Sequence, residues 1–126
     1  MKLAANIFTA IVMLEHVYIL VLEMYLWTSP IGMKAFNLTE EFAKASAPLA
    51  ANQGLYNGFL AAGLAWAFIM ADKVHSYNTK LFFVTCVVVA ALYGAYSVSI
   101  SILIKQGTPA IIALALLLLS AKAQKE

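Results

Sequence analysis

Glu15, His16 and Glu23 lie inside one apolar run, Leu3 to Trp27, that is long enough to cross a bilayer. Two carboxyl groups and an imidazole can trade protons, bind a cation or pair with each other. In hydrocarbon each is expensive, because a charge at the bilayer centre costs from about 2.5 to over 10 kcal/mol depending on the reference. They must therefore face protein, a partner or a water-filled cavity. At about 100° per residue, Thr9, His16 and Glu23 recur every seven positions as one narrow stripe, with Glu15 on its flank. Leu14, Val17, Val21 and Met24 fall roughly opposite, so the acidic face is expected to point inward.

A second polar group lies in the run Leu49 to Ala71, where Asn52, Gln53, Tyr56 and Asn57 share a helical face. Beside them Ala50, Gly54, Gly58 and Ala62 form a small-residue ridge at spacing four, which is a device for close helix packing rather than a site. A third run, Leu81 to Ile104, carries Cys86, Ala90, Tyr93, Ser97 and Ser101 along one stripe. Antiparallel spans would set Glu23 level with Asn52 and Ser101 near the outer surface, and bring Glu15, His16 and Tyr93 together near mid-membrane. The expected site is a polar pocket open to the outside, with Glu15, His16, Glu23, Asn52, Gln53, Tyr56, Asn57 and Tyr93 as its ligand and proton groups. Taken singly, Ser97, Ser99, Ser101 and Cys86 are expected to do no more than bond neighbouring helices, and Trp27 suits an interfacial anchor.

The elements that must position these groups follow from composition. Of 126 residues, 63% are hydrophobic and 11% charged, against about 25% charged in an ordinary soluble domain. The three runs exceed the roughly 20 residues that a helix needs to span hydrocarbon. A fourth, Pro109 to Ala121, is marginal, and reaches across if Lys122 to Lys125 snorkel or the bilayer thins. The expectation is an all-α, polytopic membrane protein: a four-transmembrane-helix bundle with helices at about 3–27, 48–71, 80–104 and 108–122, forming a single domain over 1–126. A tight turn at Lys105 to Thr108 separates the last two, with Thr108 as cap and Pro109 at the first helical position. Thr39, Glu40 and Glu41 read as the start of a short interfacial helix in the first loop, with Phe36, Leu38 and Phe42 as its apolar contacts. The N-terminal run reads as a retained helix rather than a signal peptide, since Glu15 and His16 interrupt it and no small-residue cleavage site follows.

Lysines set the orientation. Lys2, Lys73, Lys80, Lys122 and Lys125 fall on one side, against Lys34, Lys44 and Lys105 on the other, so both termini are expected in the cytoplasm of a bacterial inner membrane. A net charge of +2 is too small and scattered for nucleic acid. The lone Cys86 excludes an internal disulfide and a cysteine metal site. No cofactor or metal is expected, because Glu15 and His16 diverge by about 100° and no third ligand is in sequence reach.

The strings Leu14-Glu15-His16, Leu22-Glu23-Met24 with Trp27, and Ala50-Ala51-Asn52-Gln53-Gly54-Leu55-Tyr56-Asn57-Gly58-Phe59-Leu60-Ala61 resemble a family of small four-helix bacterial membrane proteins known as a domain of unknown function. The resemblance covers nearly the whole chain and implies a fold, with no substrate, cofactor or catalytic residue to carry over. Function is read from the residues alone, in two classes. The first is proton-linked binding or transport of a small cationic or protonatable molecule, with Glu15 exchanging its proton for the ligand and Tyr56 and Tyr93 adding cation-π contact. The second is a membrane-embedded enzyme on a lipid-like or isoprenoid substrate, with Glu15 and His16 moving protons. A structural or accessory role, with Glu15 and His16 paired to hold the bundle, is the third alternative. The partners expected are the bilayer and a small-molecule ligand, and the little surface that four short helices bury favours a homodimer.

Overall fold

The computed structural model describes residues 1–122 and is helical throughout, with no strand among the described residues. α1 spans Lys2–Tyr25 and α2 Pro30–Phe36. α3 runs over Glu40–Ile69 and α4 over Lys73–Ser97. The last helix, α5, consists of a single turn Ile100–Ile102, a π turn Leu103–Gly107 and the segment Thr108–Lys122. α1 packs against α3 and α5, and α4 packs against the same two, so the four long helices close a ring around a shared core.

That core is thin and built of small side chains. Val12, Leu64, Val84, Val87 and Leu117 meet Ala5, Ala110 and Ala113 at its centre. The bulky apolar residues Leu14, Phe82, Val89 and Leu118 are instead exposed on the outer faces. Gly54 sets the spacing between α1 and α3: a Cβ there would lie 2.7 Å from Met24 Cγ, 3.0 Å from Glu23 Cβ and 3.2 Å from the Leu20 carbonyl oxygen. The small-residue ridge thus packs on α1 through Gly54 and Gly58, while Ala62 turns outward and Ala61 is buried in its place.

Three helices are long and apolar enough to cross a membrane: Lys2–Tyr25, Lys73–Ser97 and Ile100–Ala121. The ranking of the spans differs from the sequence expectation. The marginal fourth run is extended backward to Ile100 and becomes long and apolar enough to cross a membrane, whereas α3, at 30 residues ample in length, falls outside this apolar set. Asn52, Gln53 and Asn57 within α3 are the polar residues that dilute it.

The expected turn at Lys105 to Thr108 is helix instead. The chain breaks earlier, at Val98 and Ser99, where Ser99 adopts an extended conformation and its hydroxyl accepts from the Ser101 N–H at 3.2 Å. Pro109 then lies inside α5, without an N–H and with a ring that in a regular α-helix would clash with the carbonyl four residues back. The π turn immediately before it supplies the wider spacing such a residue requires.

The first loop also differs. Thr39 does cap a helix, accepting from Phe42 N–H at 3.3 Å, but that helix is the long α3. The short helix of the loop is α2, capped by Ser29, begun by Pro30 and ended by Asn37 in the left-handed conformation that asparagine tolerates. Trp27 fastens this corner, donating its indole N–H to Ser46 at 3.0 Å and lying 4.8 Å from the Phe36 ring. Lys125, counted in the charge asymmetry, is outside the described residues.

Candidate functional site

The polar stripe of α1 is buried. Thr9 satisfies itself, its hydroxyl donating to the Ala5 carbonyl at 2.7 Å. His16, 1% exposed, lies with Nδ1 2.8 Å from the Val12 carbonyl and Nε2 3.2 Å from the Gln106 amide nitrogen. A carbonyl can only accept, so Nδ1 carries a proton. Nε2 is then free to accept from the Gln106 amide, which completes a neutral imidazole with both nitrogens engaged. Gln106 belongs to the π turn, and the extra residue in that turn sets the face on which its side chain emerges.

Two turns further along, Glu23 is 9% exposed and its Oε2 accepts from Asn57 Nδ2 at 2.8 Å. The same Asn57 amide lies 3.3 Å from the Gln53 carbonyl. This bond spans α1 and α3 where Gly54 lets the two backbones approach. His16 and Glu23 are therefore each tied across a helix interface, His16 to α5 and Glu23 to α3.

Glu15 differs from both. Its side chain is half-buried, and its Oε2 is fully enclosed with no hydrogen-bond partner among the described residues. Leu20 and Met24, which abut α3, lie on one side of the His16 direction at 100° per residue, and Glu15 lies about 100° to the other side. Its carboxyl thus occupies the flank of α1 that turns away from α3. A buried carboxyl oxygen without a donor is a rarity that calls for a ligand, a proton or a mobile partner as its explanation.

The remaining residues singled out from sequence are not brought to this cluster. Asn52 and Gln53 are exposed, and Tyr56 faces outward with its ring 5.9 Å from Phe59. Tyr93 is 70% exposed, 6.5 Å from Tyr96, on the outer face of α4 that also holds Cys86 and Ala90. The inward face of α4 is Ser76, Lys80, Val84, Val87 and Ala91. Among the described residues no three of the His, Cys, Asp and Glu side chains come together as a metal site.

Sequence reasoning missed Gln106, Lys80 and Asn6. Gln106 was hidden by its assignment to a turn, although an amide beside an otherwise apolar stretch from Ile100 to Ala121 is itself a signal. Lys80, expected at the start of the third helix, lies two turns inside α4, which begins at Lys73, and is 8% exposed, its ammonium donating to Asn6 Oδ1 at 3.0 Å and facing the Phe68 ring at 4.3 Å.

A family model described as a protein of unknown function, DUF1304, matches residues 10–118. Over 117 residues the chain is 32% identical to the uncharacterized protein YpaA of Lactococcus lactis subsp. lactis strain IL1403, covering 90% of this chain and 96% of the relative. No solved structure matches. With both the family model and the relative extending over most of its length, the protein belongs to the DUF1304 family.

Proposed function

We propose that this protein is a four-span integral membrane protein of the bacterial inner membrane, with both termini in the cytoplasm, that binds and moves a small cationic or protonatable molecule in exchange for a proton on Glu15. The observation that carries the reading is the enclosed Glu15 Oε2 without a donor, beside two polar neighbours on the same helix that are both satisfied. Where His16 and Glu23 spend their polar atoms on clasping helices, Glu15 keeps its own for another occupant. A carboxyl held away from water gains from an arriving cation, which favours its charged form, and the displaced proton leaves.

Membrane embedding is supported by the outward array of Leu14, Phe82, Val89 and Leu118, a surface that lipid solvates and water does not. α3 completes four spans because its polar residues need not all face hydrocarbon: Asn57 is buried against Glu23. The second crossing is thus made possible by protein partners rather than by composition.

The test uses purified protein in lightly buffered detergent solution, with methylammonium, guanidinium and tetraphenylphosphonium as graded probes. Addition of a bound probe should release up to one proton per protein in the wild type. Glu15→Gln, which keeps the size of the side chain, should fold and release none. A stable Glu15→Gln variant with normal release would overturn the role of Glu15 and transfer it to Glu23.

A further inference from the structure

At the opposite end of α1 from Glu23, a cavity of about 480 Å³ opens between the first turns of α1 and α4 and the last turns of α5. Its polar lining is Lys2, Asn6, Lys73, Ser76, Tyr77, Lys80 and Ser120. Lys80 is the buried member, with Asn6 accepting one of its three N–H groups and the Phe68 ring facing its charge. No carboxylate among the described residues pairs with it. A buried ammonium held by a neutral amide and a ring is only half compensated, because neither partner carries the opposite charge.

The surroundings sharpen that deficit. Lys2 and Lys73 bring two further positive charges to the same cavity. Asp72, next to Lys73 in the chain, is committed to its own helix end, where it accepts the His75 backbone N–H at 2.8 Å and lies 3.0 Å from the His75 imidazole. The walls between the lysines are apolar, formed by Ala5, Val74 and Leu117. Three cations above an apolar wall, at the ends of helices long enough to span a bilayer, match an amphiphile that carries its negative charge at the headgroup.

We propose that this cavity is a binding site for the phosphate group of an anionic phospholipid, with Lys80 as the buried charge that holds the phosphate and Lys2 and Lys73 as its exposed flank. The site is independent of the cation reading at Glu15 and stands or falls separately. Lysines clustered at the end of a span are what recognises an anionic headgroup, each exposed one contributing about five-fold in affinity.

Full-length protein in detergent should be examined by native mass spectrometry against phosphatidylglycerol, phosphatidic acid and phosphatidylcholine, and by thermal shift against glycerol 3-phosphate and inorganic phosphate. Wild type should retain the anionic lipids on the order of a hundred-fold more tightly than phosphatidylcholine, from about five-fold for each of three lysines. Lys80→Met, which keeps the apolar stem, should lower that preference at least about five-fold. The exposed pair Lys2→Gln with Lys73→Gln should weaken it by about twenty-fold or more, and this pair decides the matter if Lys80→Met does not fold. Stabilisation by the soluble esters as well would place recognition in the phosphate alone, and a response to lipid alone would require the chain; both support the site. Equal retention of phosphatidylcholine, or wild-type selectivity in the exposed double variant, overturns it. All the lysine variants should retain probe-driven proton release at Glu15.

Discussion

Removing the Gln106 amide from His16 tests whether the π turn exists to make a helix clasp. In Gln106→Leu the imidazole keeps its Nδ1 bond to Val12 but loses its partner at Nε2, in a position where water has almost no access to the ring. A net hydrogen bond contributes about 0.5–1.5 kcal/mol, and leaving a buried acceptor unmet costs about 1–3 kcal/mol. Inter-helix bonds in membrane proteins average about 0.6 kcal/mol with a maximum near 1.7, since an opened bundle finds other partners. The two ranges overlap at about 1–1.5 kcal/mol, which is the loss expected for Gln106→Leu.

The measurement is a double-mutant cycle with His16→Leu, read from reversible unfolding in mixed micelles. His16→Leu also deletes the Val12 bond, but that loss appears in both arms and cancels. The coupling energy should lie between about 0.6 and 1.7 kcal/mol. Pro109→Ala, which lifts the steric demand behind the π turn, should raise helix stability while reducing the same coupling, because Gln106 would rotate off the His16 face. A coupling within about 0.3 kcal/mol of zero, the level of independent sites, would refute the clasp.

Gly54→Leu should separate α1 from α3, since even its Cβ meets Met24 and the Leu20 carbonyl; a loss of about 1–3 kcal/mol is expected from overpacking, together with loss of the Asn57 amide signal that reports the Glu23 bond. Cysteine placed at Lys34 or Lys44 should react with an impermeant thiol reagent from outside intact cells, and cysteine at Lys73 should not; the reverse pattern would invert the proposed orientation. The Asp72 carboxyl is held below the ordinary range, first by the His75 backbone N–H it accepts. A depressed folded value means that its contribution is present at neutral pH and fades as pH falls through that value, below about pH 4. Exchange protection of the His75 and Ser76 amides, taken relative to their intrinsic rates, should therefore fall in acid, and Asp72→Asn, which keeps a capping oxygen, should remove that fall; an unchanged acid-induced loss of protection in that variant would sink the assignment.

How much of this was legible in the sequence varies by helix, and the reason is the solvent. α1 could be read because its inward stripe is chemically distinct: Thr9, His16 and Glu23 are polar on an otherwise apolar cylinder. α4 could not. Its buried row Ser76, Lys80, Val84, Val87 and Ala91 and its outward row Cys86, Ala90, Tyr93 and Ser97 have similar character, and when lipid is the solvent an apolar outer face is no signal. α3 was misjudged for a different reason. Its polar face and its small-residue ridge compete for α1, and the ridge prevails, because close backbone approach through Gly54 admits Asn57 and leaves Asn52, Gln53 and Tyr56 outside.

The ends of helices show the same competition. Gly107, Thr108 and Pro109 look like a stop and a start, and locally they are good ones. The chain instead breaks at Ser99, and α5 absorbs the proline with a π turn. Two consequences follow from that single change. The last helix gains from Ile100 onward the length that the short run lacked, and Gln106 moves from a loop into the wall beside His16. With His16 satisfied on α5 and Glu23 on α3, a carboxyl oxygen of Glu15 is left without a donor among the described residues, and the ammonium of Lys80 is met by the Asn6 amide and the Phe68 ring, neither of which carries a negative charge. A bundle whose core is largely alanine and valine has little packing energy with which to bury idle charges, and that cost is the physical ground of the two binding proposals.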